Sequence, residues 1–184
     1  MANSKEFFGD EAVEEVQKLF PDILLNDVQK HVIRKEGYVA GEYTDVGKVA
    51  KGVGQTGEFV DKTFLDTFAE KEDLARRLIP DYDSLSLDLQ KAIMSGVYRG
   101  DLSGSPKTLD FINQGQWGLA ADEFLDNNEY RDASTPKGVK KRMEEIARTF
   151  KNRSFANDTV KEFTAPRGNP TRERQMLARA LQNG

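Results

Sequence analysis

Two carboxylates, Glu36 and Asp45, stand nine positions apart across a stretch rich in turn residues, reading Glu36-Gly37, then Tyr43-Thr44-Asp45, then Gly52-Val53-Gly54. Chemistry on a glycosidic bond asks for such a pair: one carboxyl group held protonated as the acid, the other kept ionised on the opposite side of the sugar. Glu36 is the candidate acid and Asp45 its partner. A Glu-Gly pair alone is an ordinary helix end, so the weight rests on what flanks it.

The elements that must hold these groups are readable from pattern. In residues 27–38, Val28, Val32 and Ile33 share one helical stripe and Gly37 is a stop signal, which puts Glu36 at a helix C-terminus. The partial negative charge there disfavours carboxylate ionisation, as burial also would, and both favour the protonated acid. Residues 42–59 mix small, polar and β-branched side chains with Gly47, Gly52, Gly54 and Gly57, which predicts two or three short strands and a hairpin presenting Asp45.

At these residues the chain resembles the phage-type lysozymes, glycoside hydrolases of family 24. Their pattern of Glu-Gly, Tyr-x-Asp, Gly and Thr-x-Gly-x-Gly reads here Glu36-Gly37, Tyr43-Thr44-Asp45, Gly47 and Ala50-Lys51-Gly52-Val53-Gly54. Pro80 to Leu85, leading through Ala92-Ile93-Met94 to Tyr98 and Gly100, is similar to the start of the family's buried central helix. Residues 114–130 are similar to its Trp-containing helix, and 138–150 to its closing helix with an inward-facing arginine, here Arg142. These ordered matches run from Val28 to Phe150.

The resemblance implies a predominantly helical α+β fold in two lobes: a small β lobe at about 38–59, an inter-lobe helix at about 60–78 and a helical lobe at about 80–152. It implies a peptidoglycan hydrolase that cleaves the β-1,4 bond between N-acetylmuramic acid and N-acetylglucosamine with inversion. Glu36 and Asp45 would be catalytic, while Gln55, Tyr98 and Arg142 would line the substrate site, Arg142 pairing with Glu36. No cofactor or metal is implied, and the partner is bacterial peptidoglycan, met by a monomer from the host cytoplasm or from a virion.

One departure bears on mechanism. The family threonine that helps hold the hydrolytic water falls on Ala50, with one residue missing before it, and alanine cannot bond a water. Thr44, Gln55 or Thr56 could supply the group, Lys51 could enter the site, or the enzyme could be slow. A non-catalytic wall-binding or virion structural protein is the competing expectation.

Bulk properties agree with a globular domain. The 184 residues, 38% hydrophobic and 32% charged, suffice for one substantial core. No apolar run reaches membrane-spanning length, there is no cysteine, and residues 1–10 lack the apolar segment of a signal peptide. Residues 1–85 hold 11 basic against 18 acidic side chains and residues 86–184 hold 16 against 13, so the halves differ in sign. The basic C-terminal half would suit an anionic wall polymer, whereas its sparse aromatics argue against nucleic acid.

Helices are expected at 9–20 with Asp10 as cap, 24–36, 60–78, 86–98, 106–114, 117–127 and 137–152. A domain over 1–156 would be followed by a basic tail, 157–184, with a short helix at 171–182. His31 is the single histidine and reads as structural, Trp117 as core, and Arg99-Gly100-Asp101 as a string without a role.

Overall fold

The computed structural model describes residues 5–45 and 48–164, apart from the side chains of Thr44, Asp45, Lys48 and every residue from Phe155 onward. The expected helix at 171–182 therefore lies outside the described residues. What is described is mostly helical with one small antiparallel sheet, an α+β arrangement.

The sheet is a meander in the order β1 (Lys5–Phe7), β2 (Tyr38–Asp45), β3 (Lys48–Gly52) and β4 (Gln55–Thr56). The hairpin expected from the Gly-rich stretch is β2 and β3, with Tyr43 opposite Ala50 and Asp45 opposite Lys48. A register shift between Val39 and Glu42 kinks β2, with Gly41 at φ 107° taking the conformation a side chain would resist. Strand β1 was not expected from pattern, since three residues carry no readable period. It pairs its Phe7 with Tyr38, and the two rings stack with centroids 5.9 Å apart.

Helix α1 (Gly9–Leu19) is capped by Phe8 without a side-chain bond, so Asp10 is not the cap. It sits in the first turn, where its charge complements the helix dipole and its carboxylate accepts from Arg34 at 2.6 Å. Helix α2 (Asp27–Glu36) begins later than position 24 because Asn26 and Gln29 form a reciprocal capping box, Asn26 Oδ1 accepting from the Gln29 N–H and Gln29 Oε1 from the Asn26 N–H. Thr63 likewise sets the start of α3 (Phe64–Leu78) rather than position 60, accepting from the Asp66 N–H. The residues before it form a short 3-10 turn, Gly57–Phe59.

Helix α4 (Leu87–Arg99) is buried along nearly all its length from Leu89 to Tyr98. It ends at Gly100, whose left-handed φ of 95° lets Leu102 fold back and donate its N–H to the Gly96 carbonyl. Helices α5 (Pro106–Asn113), α6 (Trp117–Leu125), the short α7 (Asn128–Arg131) and α8 (Lys137–Thr164) complete the order. Helix α8 runs well beyond the expected end at 152 and through the proposed domain boundary at 156. No glycine or proline interrupts the sequence between Gly138 and Pro166, so nothing local stops it.

One continuous apolar cluster joins these elements, taking Val16 from α1, Val32 and Ile33 from α2, Phe64 and Phe68 from α3, Ile93, Met94 and Val97 from α4, and Met143 and Phe150 from α8. Trp117 belongs to it as expected, its ring 5.7 Å from that of Phe150 in a tilted pair. Such pairs add roughly 0.5–1.5 kcal/mol beyond area burial. Among the described residues, no helix is long and apolar enough to cross a membrane.

Candidate active site

Glu36 ends helix α2, and Gly37 follows at φ 77° with its N–H donated to the Ile33 carbonyl. That close turns the chain directly into β2, so the last helical side chain is set at the junction of helix and sheet. The Glu36 side chain is 13% exposed. Arg142 of α8 reaches it from the far end of the sequence, donating from Nη1 to Glu36 Oε1 at 2.9 Å and to the Lys35 carbonyl at 3.0 Å. One guanidinium nitrogen thus fastens both the carboxylate and the carbonyl end of its helix. Lys35 in turn pairs with Glu145, one turn along α8 from Arg142.

Burial pushes the Glu36 carboxyl above its ordinary value of 4.5, while the charges of Arg142 and Arg99 and the Arg142 hydrogen bond pull it back. Burial wins this contest because water is largely removed, whereas the two cations are themselves partly solvated and act through a partly screened medium. The outcome is a carboxyl group inclined to hold its proton and still oriented by a charged donor.

The turn between β3 and β4 passes beside the other oxygen. Gly54, at φ 65°, lies so close that a Cβ there would sit 3.7 Å from Glu36 Oε2. Both backbone polar groups of the preceding Val53 are bonded by buried side chains: its N–H is accepted by Gln55 Oε1 at 3.1 Å, and its carbonyl accepts the Tyr98 hydroxyl at 2.8 Å. Gln55 is anchored further by donating to the Lys62 carbonyl and to Thr67 Oγ1. A Cβ on Gly52 would overlap Gln55 Oε1 and push that amide from its place.

These bonds involve two of the residues expected to line the substrate site. Tyr98 is 8% exposed, with its ring 6.4 Å from Phe64 and its hydroxyl committed to Val53, and it contributes to the lining of the cavity beside Gly54. Burial, with the neighbouring Glu36 charge, raises its phenol far above the ordinary value and keeps it a donor. Gln55 is 4% exposed, its amide bonded to Val53, Lys62 and Thr67, and it too borders that cavity. Both residues border the site through the backbone they hold.

The backbone of Asp45 ends β2, on the strand that leaves directly from Glu36-Gly37, while its side chain lies outside the described residues, as does that of Thr44. Ala50 is fully buried in β3, between Tyr43 on one side and Thr56 on the other. It offers no open face to a water, so a hydroxyl placed there would first have to fit the packed side of the sheet. Lys51 is exposed.

A cavity of about 410 Å³ opens beside Gly54, lined by Thr56, Glu58, Lys71, Tyr98 and Arg99 among others. Arg99 also borders a second cavity of about 270 Å³ behind the Arg142 pair, shared with His31, Lys35, Lys91 and Ser95. His31 is half-buried and bonded to Ser95 Oγ at 3.1 Å, consistent with a structural reading.

The residues that sequence reasoning missed are Arg99 and Asp101. Arg99 donates from Nε to Asp101 at 2.8 Å and from Nη2 to Glu129 at 3.3 Å, and both its charge and that of Asp101 reach Glu36. Their proximity to Glu36 depends on where α4 ends against α2, which spacing along the chain does not carry. Lys35 and Glu145 were missed likewise, although Arg142, Glu145, Ile146 and Thr149 do share one stripe of α8 at helical spacing.

Compared with models of protein families and with curated proteins, the chain matches none.

Proposed function

We propose that the chain is a lysozyme-type glycoside hydrolase that cleaves the β-1,4 bond between N-acetylmuramic acid and N-acetylglucosamine in bacterial peptidoglycan, by acid-assisted attack of water with inversion. The observation that carries the proposal is Glu36: a mostly buried carboxyl, raised above its ordinary value, whose Oε1 is held by Arg142 and whose Oε2 faces a glycine turn. With Oε1 accepting from Arg142, the proton of the acid form belongs on Oε2. From there it passes to the glycosidic oxygen as the bond to the anomeric carbon breaks.

Asp45 is the proposed base, polarising the water that attacks the opposite face of the sugar and taking its proton. The chain of Glu36-Gly37 into β2 supports this, because one strand connects both carboxyl-bearing positions. A two-lobed arrangement is part of the same reading. The sheet is supplied wholly by residues before 57, the helices after Thr63 form the larger body, and α3 joins the two along the chain. The setting would be host-cell lysis or entry by a phage, the enzyme working as a monomer.

Ala50 favours a second reading, a wall-binding module without turnover, because its buried methyl cannot position a water. Clearing of permeabilised bacteria and release of reducing ends from purified peptidoglycan, compared between wild type and Glu36→Gln, separate the two. Hydrolysis by wild type and none by Glu36→Gln supports the enzyme. Negligible release by both proteins, with retained pull-down on peptidoglycan, leaves the binding module; near-wild-type release by Glu36→Gln removes Glu36 from the chemistry.

A further inference from the structure

Val53 is the point at which the small sheet and the helical body grip the same residue. Its N–H is bound from within the sheet by Gln55, and its carbonyl is bound from α4 by Tyr98, 45 positions away. The peptide that carries this carbonyl also carries the N–H of Gly54, so fixing the carbonyl direction fixes the plane of the peptide that leads into Gly54. Gly54 is the residue against Glu36 Oε2, with 3.7 Å from a notional Cβ to that oxygen and 3.8 Å to the Glu36 Cβ. Val53 is fully buried in the core cluster and the turn is closed by the pairing of Lys51 with Gln55, so the two side-chain bonds act beside packing and strand pairing and add what those lack, a fixed direction for the Val53 carbonyl between two glycines of positive φ.

We propose that Gln55 and Tyr98 are positioning residues of the acid site: together they clamp the Val53 backbone so that Gly54 stays packed beside Glu36 Oε2 and limits the water around it. The proposal rests on the reading of Glu36 as the acid, but it concerns the carboxyl's environment and is measurable without any substrate.

Three further features agree with it. Gln55 is held at its far end by Lys62 and Thr67, so the clamp is referred to the start of α3 and cannot drift with the hairpin. Gly52 leaves room for the Gln55 amide that any Cβ would take. The Tyr98 phenol is raised by burial and by Glu36, and it therefore remains a hydrogen-bond donor throughout the range in which a carboxyl titrates. Opening the turn would admit water to Oε2, weaken the desolvation that raises Glu36, and leave Arg142 and Arg99 to draw its titration downward.

The test is titration of Glu36 in the full chain by the 13C shift of its labelled side-chain carboxyl, in wild type, Tyr98→Phe, Gln55→Leu and Gln55→Glu. Tyr82→Phe serves as a control for loss of a buried tyrosine hydroxyl, because Tyr82 lies in the core. Tyr98→Phe and Gln55→Leu are expected to lower the Glu36 midpoint by roughly 0.5 pH unit or more. Gln55→Glu adds a carboxylate whose own repulsion would raise Glu36 and so serves only to check folding, while Tyr82→Phe should leave the midpoint unmoved. If Tyr98→Phe leaves the Glu36 midpoint unchanged while remaining folded, the clamp is wrong. Should Gln55→Leu unfold, Thr67→Val, which removes one anchor of the Gln55 amide, is expected to move the midpoint in the same direction, and an unmoved midpoint there counts equally against the clamp. On peptidoglycan, Tyr98→Phe should lower kcat about five-fold with little change in KM and move the alkaline limb of the profile to lower pH. A shifted Glu36 midpoint in a protein whose wild type does not hydrolyse peptidoglycan would retain the clamp and overturn the lysozyme reading, so the two failures are distinguishable.

Discussion

At the scale of single residues the decisive contest is over one proton. Glu36 is lifted by burial and lowered by Arg142, and the two are not interchangeable in effect. Glu36→Gln keeps the shape and the Arg142 contact but has no proton to transfer, so peptidoglycan hydrolysis should fall by about 100-fold or more while the thermal midpoint stays within a few degrees. Arg142→Ala should lower the rate by roughly 10- to 100-fold, the worth of a charge-assisted bond, and also raise the Glu36 midpoint, because a cation that favours the carboxylate is gone. Lys141 is exposed and Lys140 rests near the Tyr130 ring, so alanine at either should cost far less. Equal losses at all three positions in a turbidity assay would point to general attraction between the basic helix and the wall. Ala50→Thr is predicted to lower the urea midpoint by the equivalent of about 1–3 kcal/mol, as overpacking does, rather than to raise the rate by furnishing a water site. An Ala50→Thr protein that is equally stable and faster on peptidoglycan would show that the sheet accommodates the hydroxyl.

At the scale of elements, the site is made by terminations. Helix α2 stops at Gly37, whose φ of 77° and ψ of −177° send the chain at once into β2, and a Cβ there would meet the Phe7 carbonyl at 3.0 Å and the Phe8 ring at 3.1 Å. Gly37→Ala therefore combines an unfavourable backbone conformation with a collision against β1. It should cost on the order of 1–3 kcal/mol in chemical denaturation and displace Glu36 along with its helix end. A substitution without effect on stability would mean that β1 does not pack on this turn in solution. The three-residue β1 has no period to read, yet through Phe7 and Tyr38 it closes the edge of the sheet on the strand that follows Glu36.

At the scale of the whole molecule, charge and burial set how stability depends on pH. His31 is lowered from 6.5 to about 4, first by burial and then by Lys35 and Lys91, with Arg34 adding and Glu145 opposing. Its folded-state value lies below its unfolded one, so the unfolded chain binds more protons between about pH 4 and 6.5, and stability is lost as pH falls through that window. Because water still reaches part of the ring, about 1–2 kcal/mol is a reasonable size for the loss. Glu36 works the other way: its raised value means that its contribution to stability is lost as pH rises above its ordinary value of 4.5. Urea midpoints measured from pH 4 to 7 should therefore rise with pH in wild type, and His31→Asn should flatten that rise. An unchanged slope in His31→Asn would assign the acid sensitivity elsewhere, for instance to Glu145, which Lys35 holds below its ordinary value against the opposing effect of burial.

What the sequence by itself determined is everything with a local cause. The stripe of Val28, Val32 and Ile33 and the stop at Gly37 put Glu36 at a helix end, the glycines from 47 to 57 specify a hairpin, and Trp117 falls among core positions, because periodicity and turn chemistry act over a few residues. The pairing of Arg142 with Glu36, 106 positions away, was expected and is present, although no spacing argument reaches that far. Only the tertiary structure decided the rest. It turned Tyr98 and Gln55 inward to hold Val53, brought Arg99 and Asp101 within electrostatic reach of Glu36, and sealed Ala50 inside the sheet. The physical reason is that a hydrogen bond or a desolvation depends on what packs from elsewhere in the chain, and a polar side chain in a sequence carries no mark of whether its partner will be solvent or a buried backbone.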